Sequence, residues 1–341
     1  MRRTGARALN RRRTRALLAG VGLGCALVGS VTVPTPAGPP TSPRVASRVL
    51  AAAGADPRST VGVGGRGAAR GIGGPIRLLV STSVGASAVS GPGYWLVGTD
   101  GTVYAVGDAG FFGSAAGSAL RAPIVATSPT PDAKGYWLAA ADGGVFAFGD
   151  AGYYGSAASV RLARPIVGMA STPDGKGYWL VGSDGGVLSF GDAPFLGSLS
   201  GHHLSHPIVG VAASPDGRGY WLVASDGGVF TFGDAPFLGS AAAIHLNQPM
   251  VGMAATPDGG GYWLVAGDGG VFTFGAAGFF GSTANLRLQK PMVGMAATPD
   301  GLGYWLVAGD GGIFTGGDAV YFGSTGDDAH LNHPIVAMGD S

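Results

Sequence analysis

The chain has 341 residues, 66 of them Gly, with 12% charged residues, no Glu and a formal net charge of +1. Abundant Gly and the lack of Glu argue against a helical architecture. The near-neutral total conceals two unlike segments: residues 1–37 carry seven Arg and no acid, whereas 75–341 carry nine basic residues against 19 Asp, a net −10. An acidic body argues against nucleic acid as a partner, because phosphate binding depends on Lys and Arg releasing counterions.

Arg2, Arg3, Arg7, Arg11, Arg12, Arg13 and Arg15 precede an apolar run over residues 16–33, closed by Pro34-Thr35-Pro36-Ala37. A basic stretch, an apolar stretch and a small residue before a cut predict a secretory signal peptide over 1–37. The alternative is a retained anchor, since 18 apolar residues just span a bilayer; the only membrane contact expected is through that uncleaved segment. Cys25 lies within the run, and Gly22 stands where lipid attachment would want a larger aliphatic residue. Cleavage removes the only cysteine, so the mature chain, secreted or held at the cell envelope, must rely on a large core rather than on disulfides.

Residues 38–74 are rich in Pro, Gly, Ala and Arg without hydrophobic periodicity, which predicts a flexible linker. Gly62-Val63-Gly64-Gly65-Arg66-Gly67 formally matches G-x-G-x-x-G, but neither the strand nor the helix that gives that motif its meaning flanks it.

From residue 93 onward the chain repeats itself. Trp95, Trp137, Trp179, Trp221, Trp263 and Trp305 stand 42 residues apart, each within Gly-Tyr-Trp-Leu. Self-similarity at this period means a solenoid, a propeller or an array. In one copy, Ile208 to Ala213 is a β-prone run ending in Ser214-Pro215-Asp216-Gly217. Tyr220 to Ala224 follows, closed by Ser225-Asp226-Gly227-Gly228. Then come Val229 to Phe232, Gly233-Asp234-Ala235, and a short fourth run, Phe237-Leu238-Gly239-Ser240. Asp-Gly and Pro-Asp-Gly between such runs are hairpin signals, because Gly accepts positive φ and Asp bonds its own backbone. The repeat therefore predicts four antiparallel strands.

Tyr220, Trp221, Leu222 and Val223 are all apolar or aromatic although alternate side chains of a strand point oppositely. A sheet with one wet face alternates; a blade sandwiched between neighbours does not. The expected fold is an all-β propeller over 75–341 with six four-stranded blades, seven being the alternative. Pro334-Ile335-Val336-Ala337-Met338 supplies a surplus first strand at the end of the chain. Replacing or flanking the divergent Pro75–Val80 with it would close the ring and remove exposed edges.

The string Gly-Tyr-Trp-Leu-Val-Ala-Ser-Asp-Gly-Gly-Val-Phe-Thr-Phe-Gly-Asp-Ala, residues 219–235, resembles a repeat found in exported proteins of high-GC actinobacteria, over 75–341. That resemblance implies an exported propeller-like module, sometimes appended to hydrolase or cell-wall domains, and no particular reaction.

Six Trp offer faces for stacking on sugars, but packing between blades accounts for them first. Sixteen of the 19 Asp fall in the three turns of the repeat, where turn chemistry explains them. The turns joining strands one to two and three to four would share one face, with ten Asp against Lys134, Lys176 and Arg218. The other face carries the inter-blade connections. There Arg161, His203, His245, Arg287 and His330 occupy one equivalent position, and His206 and His333 directly precede the Pro of the first strand, as Arg164 and Lys290 do. These are the candidate binding residues, for an anionic glycan or a carboxylate; a solvated loop is the plainer account. No metal site or cofactor is expected, since no carboxylate or Cys stands at ligand spacing from the His. Catalysis needs unlike groups converging at one place, and the repeat supplies like groups, so an enzyme is not expected. The expected function is a non-catalytic binding module for a protein or a cell-envelope glycan. A propeller-based polysaccharide hydrolase or lyase and a purely structural spacer are the alternatives.

Overall fold

The computed structural model describes residues 92–326 and 331–341; the expected signal peptide and linker, Pro75–Val80 and His330 lie outside them. The described residues form strands and turns without a helix. In chain order the strands are β1 (Gly93–Gly98), β2 (Val103–Gly107), β3 (Ile124–Pro129), β4 (Gly135–Ala140), β5 (Val145–Gly149) and β6 (Ile166–Ser171). Next come β7 (Gly177–Gly182), β8 (Val187–Gly191), β9 (Ile208–Ala213), β10 (Gly219–Ala224), β11 (Val229–Gly233) and β12 (Met250–Ala255). The last are β13 (Gly261–Ala266), β14 (Val271–Gly275), β15 (Met292–Ala297), β16 (Gly303–Ala308), β17 (Ile313–Gly317) and β18 (Ile335–Asp340).

They build six three-stranded antiparallel sheets. Five are consecutive in sequence: β3-β4-β5, β6-β7-β8, β9-β10-β11, β12-β13-β14 and β15-β16-β17. The sixth is β18-β1-β2, in which the end of the chain pairs with its beginning, Leu96 opposite Met338. The first strands β3, β6, β9, β12, β15 and β18 each pack on the next, and β18 packs on β3. The architecture is a repeat of propeller-like sheets.

The expected fourth strand is the point of difference. Residues 236–240 and their equivalents pair in no ladder. Their backbone groups are taken by side chains instead. Trp221 Nε1 donates to Pro236 O at 2.8 Å, Leu238 N donates to the Tyr262 hydroxyl at 3.3 Å, and Tyr262 Oη donates to Gly239 O at 2.6 Å. The segment thus satisfies its polar groups by clasping its own sheet's Trp and the next sheet's Tyr.

The middle strands explain why both faces are apolar. Tyr94, Leu96 and their equivalents face one neighbouring sheet, and Trp95, Val97 and theirs face the other. Each core cluster therefore joins two sheets, as Trp221 and Val223 join Tyr262 and Leu264. Trp-to-Tyr ring contacts run from each sheet to the next: Trp95–Tyr136, Trp137–Tyr178, Trp179–Tyr220, Trp221–Tyr262 and Trp263–Tyr304, with centroids 5.3–5.8 Å apart. Trp305–Tyr94 at 5.9 Å returns to the first. All six Trp are buried, so none offers a face to a sugar.

One turn departs from the repeat. Gly175, Gly217, Gly259 and Gly301 have φ near +70°, and a Cβ on each would meet the Pro of the preceding sheet's turn at 2.8–2.9 Å. Ala133 occupies the same position with φ +56°. It follows β18, which brings no such Pro, so its methyl has room and only the left-handed backbone costs. Ala133→Gly is expected to stabilise the protein by about 1 kcal/mol and Gly217→Ala to destabilise it by more, as read by denaturant midpoints. Deleting residues 334–341 leaves β1 without its inner partner. It is expected to abolish the single cooperative thermal transition and to produce oligomers on light scattering; an unchanged monomeric melt would contradict the pairing of the two ends.

Candidate functional site

Three regions carry the chemistry: the two ends of the sheets and the outer segments. At the end where β9 begins, Asp226 sits in the β10–β11 turn, and its Oδ1 accepts from Gly228 N at 3.0 Å. The five equivalent Asp make the same bond at 3.0 Å. His206 Nδ1 lies 3.0 Å from Asp226 Oδ2, and His333 Nε2 lies 4.0 Å from Asp100 Oδ2. Arg161, His203, His245 and Arg287 are exposed on the connections at this end, without ion pairs among the described residues. The structure pairs the two pre-Pro His with turn carboxylates, and no expected binding residue lines the cavity described below.

The opposite end is acidic. Asp132, Asp174, Asp216, Asp258 and Asp300 cap the turns between first and middle strands. Each accepts from the Thr or Ser hydroxyl two residues earlier, at 2.6–3.0 Å. Turn hydrogen bonds hold these carboxyls below the usual carboxylate range; Asp174 falls to about 2, chiefly through the Lys176 backbone N–H. The Asp that follows the third strand comes close in two sheets: Thr172 Oγ1 lies 3.3 Å from Asp192 Oδ1, and Thr298 Oγ1 lies 3.4 Å from Asp318 Oδ1. Loss of hydration, then the proximity of Asp300, pushes Asp318 up. Of the basic residues here, Lys134 and Lys176 are already paired, with Asp132 at 3.1 Å and Asp174 at 3.2 Å.

An axial cavity lined by all six first strands opens toward this acidic end. A narrow part of about 120 Å³ is walled by Gly168, Gly210, Gly252 and Gly294 among others, and a wider part of about 420 Å³ continues from it. The walls of the wider part are Met169, Met253, Met295 and Met338, with Ala and Ser toward the rim. The sixth position of the first strand is Pro129, Ser171, Ala213, Ala255 and Ala297 in five sheets and Asp340 in β18. Asp340 is the one titratable residue of the lining, and burial pushes its carboxyl up. Sequence reading placed it among the three Asp left over from the turns; its register in a first strand was the available signal.

The outer segments present six aromatic side chains. Phe111, Tyr153, Phe195, Phe237, Phe279 and Tyr321 are 48–64% exposed, one per sheet at a 42-residue spacing. Sequence reading took this position as part of a strand. The next residue turns inward: Phe112 lies 6.2 Å from Trp95 and 5.9 Å from Tyr136, ring to ring. Each exposed aromatic is framed by fixed backbone, since the preceding carbonyl accepts from a Trp indole in all six copies at 2.6–2.8 Å. The carbonyl two residues after it accepts from the next sheet's Tyr hydroxyl at 2.5–2.6 Å.

No known protein-family model matches the chain, and no curated protein matches it in sequence.

Because Asp340 holds its proton more tightly folded than unfolded, it opposes folding once pH rises above the unfolded carboxyl pKa, and has no effect below it. Asp340→Asn is therefore expected to raise the thermal midpoint at pH 7 and to leave it unchanged at pH 3. A lower midpoint at pH 7 would contradict the assignment.

Proposed function

We propose that the chain is an exported six-bladed β-propeller, closed by pairing β18 with β1, and that it is a non-catalytic module binding a cell-envelope glycan. The cycle of Trp-to-Tyr contacts supports closure, with each three-stranded sheet and its outer segment forming one blade. The exposed aromatic in every copy carries the binding reading. Scattered exposed apolar residues need no explanation. Here, however, the preceding position varies among Gly, Pro and Val while this one is always Phe or Tyr.

A flat aromatic face packs on the C–H face of a sugar ring. One shallow site per blade gives little affinity alone. Six on one rigid body meet a repeating polymer at high effective concentration, and avidity exceeds the single-site affinity by about 10²–10⁴. A single protein partner fits less well, since a stable interface wants a contiguous patch of about 800 Å² per partner, whereas these rings stand one to a sheet.

Binding to isolated cell walls and to a soluble glycan panel tests the reading. Phe237→Ala is expected to weaken retention on polymer by no more than about tenfold, and replacing all six aromatics by Ala to abolish it, with the melting temperature preserved because the side chains are exposed. Undiminished retention of the six-fold variant would refute the aromatic rim as the binding surface.

A further inference from the structure

We propose that the wider axial cavity is a second binding site, for a small organic ammonium ion that seats its charge against Asp340 and its alkyl part against the methionine wall.

The acid sits among groups that do not answer it. Its carboxylate has no ion pair and accepts no side-chain hydrogen bond among the described residues. Nearby polar groups are otherwise engaged: Ser128 Oγ donates to Ser171 Oγ at 3.0 Å, and Ser171 N donates back to Ser128 Oγ at 3.1 Å. A partly buried ionised carboxylate without a counter-charge is costly, and a ligand cation offsets that cost directly.

The cavity selects the rest of the ligand. About 420 Å³ lies within the usual range for small-molecule sites. Met169, Met253, Met295 and Met338, each largely buried between sheets, line the cavity with a small exposed share, and a polarizable thioether suits an alkyl chain better than a hydrated metal ion. No cluster of three His, Cys or Asp suited to a metal occurs among the described residues.

The approach also favours cations. Eleven Asp, counting Asp340, stand at this end against Lys134, Lys176 and Arg218, and an end with a net negative charge concentrates the opposite ion. The site is independent of the aromatic rim, which lies on the outer segments.

Calorimetric titration of the full chain with n-butylammonium chloride tests the proposal, with 1-butanol and potassium chloride as separate titrants. Butylammonium is expected to bind with a dissociation constant of about 1 mM, within what so small a ligand reaches, and both other titrants to bind at least about tenfold more weakly. Asp340→Asn is expected to weaken butylammonium about tenfold or more. Ala297→Leu, which narrows the wall and keeps the acid, is expected to weaken it as well. Both variants are first checked by tryptophan fluorescence and thermal melts. Equal binding by Asp340→Asn, equal binding of 1-butanol or of potassium, or no butylammonium binding by the folded protein would each overturn the proposal. None of these results bears on glycan retention by the rim.

Discussion

The interaction on which the fold depends is the contact of each Trp with the Tyr of the next sheet. A three-stranded sheet that is apolar on both faces cannot bury them alone. Its middle strand buries both faces only when neighbours stand on either side. Trp221 fills the space against Tyr262, and the same residues then fasten the outer segment, through the Trp indole N–H and the Tyr hydroxyl. Packing and polar satisfaction come from one pair of side chains. Removing a buried Trp of this kind costs about 3–5 kcal/mol, and Tyr→Phe would leave a buried carbonyl and N–H unpaired at about 1–3 kcal/mol. Burial in this position pushes every such phenol up, that of Tyr178 to about 12.

The same pair explains which parts of the fold were legible in the sequence. Strands one to three announce themselves through short β-prone runs and Asp-Gly turns, and the two-sided apolar pattern of Tyr220–Val223 already implies neighbours on both faces. The fourth run was read as a strand because Phe237-Leu238 follows a turn, as the other runs do. Its backbone partners proved to be side chains lying 15 residues earlier and 24 residues later. No local pattern encodes that choice between a ladder and a clasp. The exposure of Phe237 was hidden for the same reason: in an aromatic-apolar pair, which residue faces outward depends on where the next sheet stands.

The charges were legible in kind and misjudged in weight. Turn chemistry accounts for the Asp as expected, and His206 and His333 lie beside turn carboxylates. Asp340 escaped notice because it lies in no turn. Only the pairing of β18 with β1 puts it in a first strand, where alignment with Ser171, Ala213, Ala255 and Ala297 makes it an anomaly. A charge in a position otherwise held by small neutral residues acquires meaning only from its register.

Symmetry and its breakage divide the labour. A feature present six times, such as the outward aromatic, suits a target that is itself repetitive. A feature present once can define a pocket for a single ligand. Two of the chain's exceptions lie at the joint between its ends: Ala133 in a glycine's conformation and Asp340 at the cavity rim both owe their tolerance to β18, the strand contributed from the far end. Gly316, in the sheet just before that joint, forgoes the Phe that packs on the Tyr in four other sheets. Where five copies constrain one another through Pro-on-Gly contacts and four pack a Phe on the Tyr of their own sheet, substitution is costly. At the joint those constraints lapse, and a residue with chemistry of its own can be accommodated without disturbing the repeat.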